Sequence, residues 1–211
     1  MGDPLHQALD EIAAIRGQMA RAAEFQGYGP AALAATALVA AAAGVVQPLW
    51  IPDPTRAPLH YVLLWGAAAL LAGALIACEA VARTRRLHAG VSNVMIRCAV
   101  EQFLPSAVAA AALTFVLLRS LPQNVALLPG LWQVVFSLGV FASCRFLPRP
   151  TLLVGGWYLL TGIWVLLLSQ GGMALQPWLM AAPFVVGQAL ASAILWRAAR
   201  PQRVAAEQEA S

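Results

Sequence analysis

The 211-residue chain is 61% hydrophobic and 10% charged, with a mean hydropathy of +0.73, whereas ordinary soluble domains run at about 45–50% apolar and about 25% charged. That balance excludes an ordinary soluble domain, and at roughly 20 apolar residues per crossing a single helical bundle uses up the whole length. The net charge of +4 comes from thirteen Arg and no Lys. They are scattered in short clusters, which fits orienting charge beside membrane spans and not a nucleic-acid patch.

Residues 1–28 contain Asp3, Asp10, Glu11 and Glu24 and lack an apolar core followed by a small-residue cleavage site, so they do not read as a cleavable signal peptide. Leu5, Leu9, Ile12 and Met19 recur at helical spacing, with Asp10, Glu11, Arg16, Gln18 and Arg21 largely elsewhere on the wheel. The pattern predicts an amphipathic helix on the cytoplasmic membrane surface, with docking of a soluble partner as the alternative.

Apolar stretches at 29–49, 60–81, 103–121, 125–145, 151–169 and 177–197 predict six transmembrane helices. Turn-forming sequence separates them at "QPLWIPDPTRAP", "SLPQN", "RFLPRP" and "SQGGMALQP". Backbone that faces lipid must be hydrogen-bonded internally, so the spans are expected as helices. Eleven of the thirteen Arg fall in the N-terminal segment, the 83–97 loop, the 145–149 loop and the C-terminal tail, against Arg56 and Arg119 on the other side. Both termini are therefore expected in the cytoplasm. Trp50, Tyr61, Trp65, Trp132 and Trp178 would mark the outer interface and Trp196 the inner one. The polar, Ala-rich stretch 201–211 of the cytoplasmic tail (198–211) reads as disordered.

The loop between the second and third spans is nearly a charge palindrome. Glu79 and Arg83 precede Gly90 by eleven and seven residues, and Arg97 and Glu101 follow it by seven and eleven. In a continuous hairpin these four charges share depths and could form a neutral quartet near the inner boundary. One reading is a proton or cation relay, or a clamp for an anionic headgroup. The other, favoured because a span starting at Tyr61 ends near Ala80 and leaves Glu79 able to reach water, is a structural lock.

A second constellation comprises Gln133 and Ser137 on the fourth span, Tyr158 and Thr161 on the fifth, and Gln188 and Ser192 on the sixth. These groups could line a small-molecule cavity, but the commoner use of such residues is hydrogen bonding between helices. Gly66, Gly73, Gly155, Gly156 and Gly162 are expected to admit close helix contacts, and Pro183 with Gly187 to kink the sixth span. Pro105 and Pro183 each precede an Arg by fourteen residues, a likeness that would suit a three-plus-three inverted repeat.

Cys78, Cys98 and Cys144 lie toward the predicted cytoplasmic side and are expected as free thiols. His6, His60 and His88 occupy three separate regions. A thiol or metal site drawing on Cys78, Cys98 and His88 is the weak alternative; the favoured reading has no metal site and no cofactor. With no GxSxG or HExxH motif and no phosphate loop, no catalytic set emerges, and the chain reads as a non-enzyme.

The stretch "IRGQMARAAEFQGYG", through Ile15, Arg16, Met19, Arg21 and Phe25, resembles the segment before the first span in a group of small bacterial inner-membrane proteins of unknown function, often encoded beside a winged-helix regulator. The layouts of 127–146 and 177–196 are similar to that group's fourth and sixth spans, although Gln188 stands near where the group tends to have His. The resemblance implies a six-helix inner-membrane bundle and assigns no activity.

The expectation is thus an all-α integral membrane protein: a cytoplasmic amphipathic helix (1–28), a six-helix transmembrane bundle (29–197) and a cytoplasmic tail (198–211). It would serve in a bacterial inner membrane as a scaffold or as a regulatory or sensory subunit. Its expected partners are membrane lipid, a cytoplasmic protein and, as an option, a second copy of itself. The alternative is a small transporter or channel lined by the polar groups above. A fluorescent protein fused after Ser211 should be bright in cells, and alkaline phosphatase at the same place inactive; the opposite pair of signals would reverse the topology.

Overall fold

A computed structural model describes residues 29–86, 91–144, 147–169 and 173–209, with backbone alone for 83–86, 91–100, 102 and 199–209. The expected N-terminal surface helix and the turn at residues 87–90 lie outside the described residues.

Among the described residues six α-helices follow one another: α1 Pro30–Trp50, α2 Pro58–Arg86, α3 Val91–Ser120, α4 Leu128–Ser143, α5 Leu152–Leu167 and α6 Pro177–Glu209. Each of the six expected spans is matched by a helical segment long and apolar enough to cross a bilayer. α4 and α5 contain only 16 residues each, about 24 Å at 1.5 Å per residue, which falls short of a hydrocarbon core of about 30 Å. The six-residue 3₁₀ turn Pro122–Leu127 before α4 and the three-residue turn Arg149–Thr151 before α5 rise about 2 Å per residue and make up the difference. Pro122 opens the first turn and Pro150 is the second residue of the other, positions where a missing N–H leaves no helix bond unmade.

α2 and α3, at 29 and 30 residues, run well past that thickness, as the hairpin reading requires. α6 differs from expectation at its end: the helix continues through the tail to Glu209. Its last residues, "VAAEQE", are mostly strong helix formers, and nothing in them competes for the backbone.

Each helix packs on its chain neighbours, and α6 returns to α1, its most extensive contact, closing the bundle in chain order. The α2–α3 seam is the thinnest, and these two helices bury the least of their surface. Outward faces are greasy: Leu38 is 71% exposed and Leu70 78%. Exposed apolar surface on that scale marks a molecule whose surroundings are themselves apolar. The turn between α1 and α2 is polar. There Asp53 accepts from the Thr55 backbone N–H at 3.0 Å and pairs with Arg56 at 3.0 Å. The Thr55 hydroxyl also donates to it and holds its carboxyl below the usual carboxylate range.

Two members of the predicted aromatic belt belong to the interior instead. Tyr61 and Trp65 are 0% and 4% exposed; Tyr61 stacks on Trp132 of α4, ring centroids 6.2 Å apart. Trp132 is itself half-buried and donates its indole N–H to the Thr114 hydroxyl at 2.8 Å. The Trp65 and Trp132 indoles turn toward the bundle, where Gln47 and Thr114 accept their N–H groups, whereas Tyr61 is held there by its ring against Trp132 and its hydroxyl has no partner. Trp50, Trp178 and Trp196 are about half exposed, as belt residues would be.

The glycine expectations divide in the same way. A methyl group on Gly130 would sit 2.8 Å from the Gly162 carbonyl oxygen and 2.9 Å from the Leu166 nitrogen, and one on Gly162 would sit 2.9 Å from the Val134 nitrogen. α4 and α5 therefore meet backbone to backbone, and only glycine fits. Gly155 receives the Phe141 ring, whereas Gly66, Gly73 and Gly156 face open space and admit no neighbour. Gly130→Ala should destabilise the detergent-solubilised protein by about 1–3 kcal/mol, because backbone cannot move aside. Gly156→Ala should be neutral or stabilising by up to about 1 kcal/mol through helix propensity alone. Thermal unfolding followed by circular dichroism would separate the two, and equal losses would contradict the packing described.

Candidate functional site

Helix α6 carries the chemistry that organises the interior. Pro183 has no N–H, so the carbonyl four residues earlier, at Leu179, loses its helix partner. One turn before that, Leu179 donates its N–H to Gln176, 3.1 Å, in preference to Leu175. The result is a row of backbone carbonyls, at Leu175, Leu179 and Pro183, on one edge of α6 and its entry turn.

Three other helices supply donors to that row. The Gln47 amide of α1 donates to the Leu175 oxygen at 2.7 Å, the Gln133 amide of α4 to the Leu179 oxygen at 3.0 Å, and the Trp157 indole of α5 to the Pro183 oxygen at 2.9 Å. Gln47 also accepts from the Trp65 indole of α2 at 2.8 Å, so one buried amide joins α1, α2 and the entry to α6. One turn beyond Pro183, Gly187 takes the Tyr158 ring: a Cβ there would lie 2.4 Å from it. Phe136 and Phe184 enclose the same ring, centroids 4.7 and 5.1 Å away.

The predicted polar constellation is therefore present but largely committed. Gln133, Ser137 and Tyr158 are fully buried. Ser137 donates to Val134 at 2.6 Å and Thr161 to Trp157 at 2.9 Å, both within their own helices. Ser192 donates to the Pro30 carbonyl of α1 at 2.7 Å. Two buried atoms complete no hydrogen bond: Gln133 Oε1 and the Tyr158 hydroxyl. The Gln188 side chain approaches that hydroxyl without reaching hydrogen-bond geometry. The buried hydroxyls of Tyr61 and Thr151 are likewise without partners.

The palindrome resolves asymmetrically. Glu79, half-buried, accepts from the Ala32 N–H of α1 at 2.8 Å, and its other oxygen fills the space where a Gly29 side chain would stand. Neither Gly29 nor Pro30 offers a side-chain cap, so a carboxylate 47 residues away satisfies the helix end and meets its partial positive charge. Glu101 is exposed. The side chains of Arg83 and Arg97 lie outside the described residues, and with them the predicted quartet.

Cys78 is exposed, and Cys144 donates its thiol to the Val140 carbonyl at 3.2 Å. Burial pushes the Cys144 thiol up, away from reactive thiolate. Among the described residues no three His, Cys, Asp or Glu gather as metal ligands; the Cys98 side chain and His88 fall outside them. No family model, no curated protein and no solved structure matches the chain.

Sequence reading selected Gln133 but missed Gln47, whose place beside Pro48 read as loop. The signal was available: Gln47 stands two residues before the end of an apolar span, where a buried amide needs two partners. Gln47→Leu would strip partners from both the Trp65 indole and the Leu175 carbonyl, at about 1–3 kcal/mol each. Gln133→Leu should cost less, because it removes an unpaired Oε1 along with the bond to Leu179. Thermal stability in detergent should rank wild type, then Gln133→Leu, then Gln47→Leu; the reverse ranking would displace Gln47 from the centre of the fold.

Proposed function

We propose that the protein is a multi-pass inner-membrane scaffold or regulatory subunit, with both termini in the cytoplasm and a cytoplasmic protein partner. The observation that supports this reading most directly is the commitment of the interior. Gln47, Gln133 and Trp157 are held by backbone carbonyls of α6, and the inner hydroxyls of Ser137 and Thr161 by their own helices. These bonded groups thus serve packing, while the sequence assigns eleven of the thirteen Arg and the polar segments 1–28 and 82–102 to the cytoplasmic side. Charged, water-facing sequence on one side is what a soluble partner can read.

A second reading, a small transporter or channel, draws on Gln133 Oε1 and the Tyr158 hydroxyl, buried and unpartnered. A polar solute or water file would supply what they lack.

Photocrosslinking residues placed at Leu9 and Ser92 should trap the same cytoplasmic protein in living cells, and failure at both positions would remove the scaffold reading. In proteoliposomes, proton or potassium flux should equal that of empty vesicles. Flux above that level, lost in Tyr158→Phe or Glu101→Gln, would transfer the assignment to transport.

A further inference from the structure

A glycine inside a helix forgoes the stability that alanine would give, and most glycines of this bundle recover it as close contact. Gly44, Gly130, Gly139, Gly155, Gly162 and Gly187 each stand where an added Cβ would meet another helix at 3.0 Å or less. Gly66 and Gly73 of α2 meet nothing within 4 Å. They are seven residues apart, two turns along one face of the helix.

The same face carries leucines. Leu59, Leu63, Gly66, Leu70, Gly73 and Ala77 follow one another at intervals of four, three, four, three and four, the heptad spacing of a helix that packs along its length on another. Leu59, Leu63 and Leu70 are 56%, 54% and 78% exposed, and Gly73 and Ala77 are exposed as well. This line is turned about 140° from Tyr61 and Trp65, which face the interior. From Leu59 to Ala77 it runs about 27 Å, close to the thickness of a hydrocarbon core. Lipid alone does not call for such a line. Hydrocarbon tails cover Leu104, Val108 and Phe115 of α3, which are equally outward, and α3 contains no glycine. In a membrane, small residues on a helix face serve the close approach of a second helix.

The pattern fits a copy of itself. In heptad packing each protruding side chain enters a hole formed by four residues of the facing helix. For Leu70 opposite an identical, parallel α2 in register, that hole is Gly66, Ala69, Leu70 and Gly73, three of them small. Two copies inserted the same way round are related by a two-fold axis along the membrane normal, and that symmetry makes their α2 helices parallel and in register. No Asp, Glu or Arg stands between Arg56 and Glu79, so the two-fold brings no like charges together along the contact. Glu79 itself is turned to α1, on another face. We infer that the protein forms a two-fold symmetric dimer through α2, with Leu70 of each copy seated between Gly66 and Gly73 of the other. The inference rests on the membrane reading above.

Cysteine crosslinking of the full chain in native membranes tests it, with one cysteine per chain and the others changed to Ser. Ala77→Cys, on the line, should give a covalent dimer on mild oxidation. The native Cys78, also exposed but one residue around the helix, should give far less. Gly66→Leu with Gly73→Leu should lower the dimer captured by Ala77→Cys about tenfold. Gly156→Leu, which also faces open space but lies on α5, should leave it unchanged. If the glycine pair fails to accumulate in the membrane, the contrast between positions 77 and 78 decides. No dimer at 77, equal capture at 77 and 78, or a dimer indifferent to the glycine pair would overturn the interface. So would a photocrosslink from position 74 into lipid alone or into a different protein, which would name another occupant. A chain that is native and monodisperse without detergent would instead sink the membrane reading itself.

Discussion

A backbone carbonyl without a donor is tolerable in water and costly in hydrocarbon. Helix α6 confronts the fold with that cost directly. Pro183 deprives the Leu179 carbonyl of its partner, and the entry turn leaves Leu175 in a similar position. The neighbouring helices are arranged around the remedy: Gln47 from α1, Gln133 from α4 and Trp157 from α5 reach the same edge of α6 at successive turns. Apolar packing between lipid-like helices has little directional preference. These three bonds supply direction, since each specifies one partner helix at one height.

Close approach serves the same end. Each donor reaches no farther than one side chain, so its helix must come near. Gly130 and Gly162 let α4 and α5 touch backbone to backbone, and Gly187 lets the Tyr158 ring lie against α6. Gly44 of α1 does likewise toward Ala181, where an added Cβ would stand 2.6 Å from the alanine methyl. α2 and α3 share few such devices, and their mutual seam is correspondingly thin. Much of the apolar surface they leave outward is intelligible only in an apolar surrounding.

Hydropathy and punctuation disclosed the number, type and approximate limits of the helices, because both depend on residue composition over a span. Depth was less legible. The 3₁₀ lead-ins at Pro122 and Arg149 became interpretable only once α4 and α5 proved short. Rotation was least legible: Tyr61 and Trp65 have the composition of an interfacial belt, yet their rings face inward, and no one-dimensional spacing places Gln47 opposite Trp65. The same blindness applied to glycine, where Gly155 admits a phenyl ring and its neighbour Gly156 faces open space. What the local sequence did contain was the defect itself: a proline within a span announces an orphan carbonyl four residues earlier, and a buried amide elsewhere is the natural candidate to answer it.

The charges near the α2–α3 turn show how a symmetric sequence acquires asymmetric roles. Glu79 and Glu101 stand equidistant from Gly90, so an antiparallel hairpin gives them equal depth. Depth does not determine neighbours. α2 packs on α1, whose first turn has no cap of its own, whereas α3 packs on α4, and its Phe103 and Ser106 lie beside Gly139 in the second half of that helix, toward an end that presents carbonyls and not N–H groups. The carboxylate on the α1 side thus meets a helix end rich in unpaired N–H groups, and the one on α3 is left exposed. Replacing Glu79 would therefore disturb how the first span begins. Equal depth does not make the two carboxylates equivalent: one is bound to the start of α1 and the other stands on an exposed surface of α3.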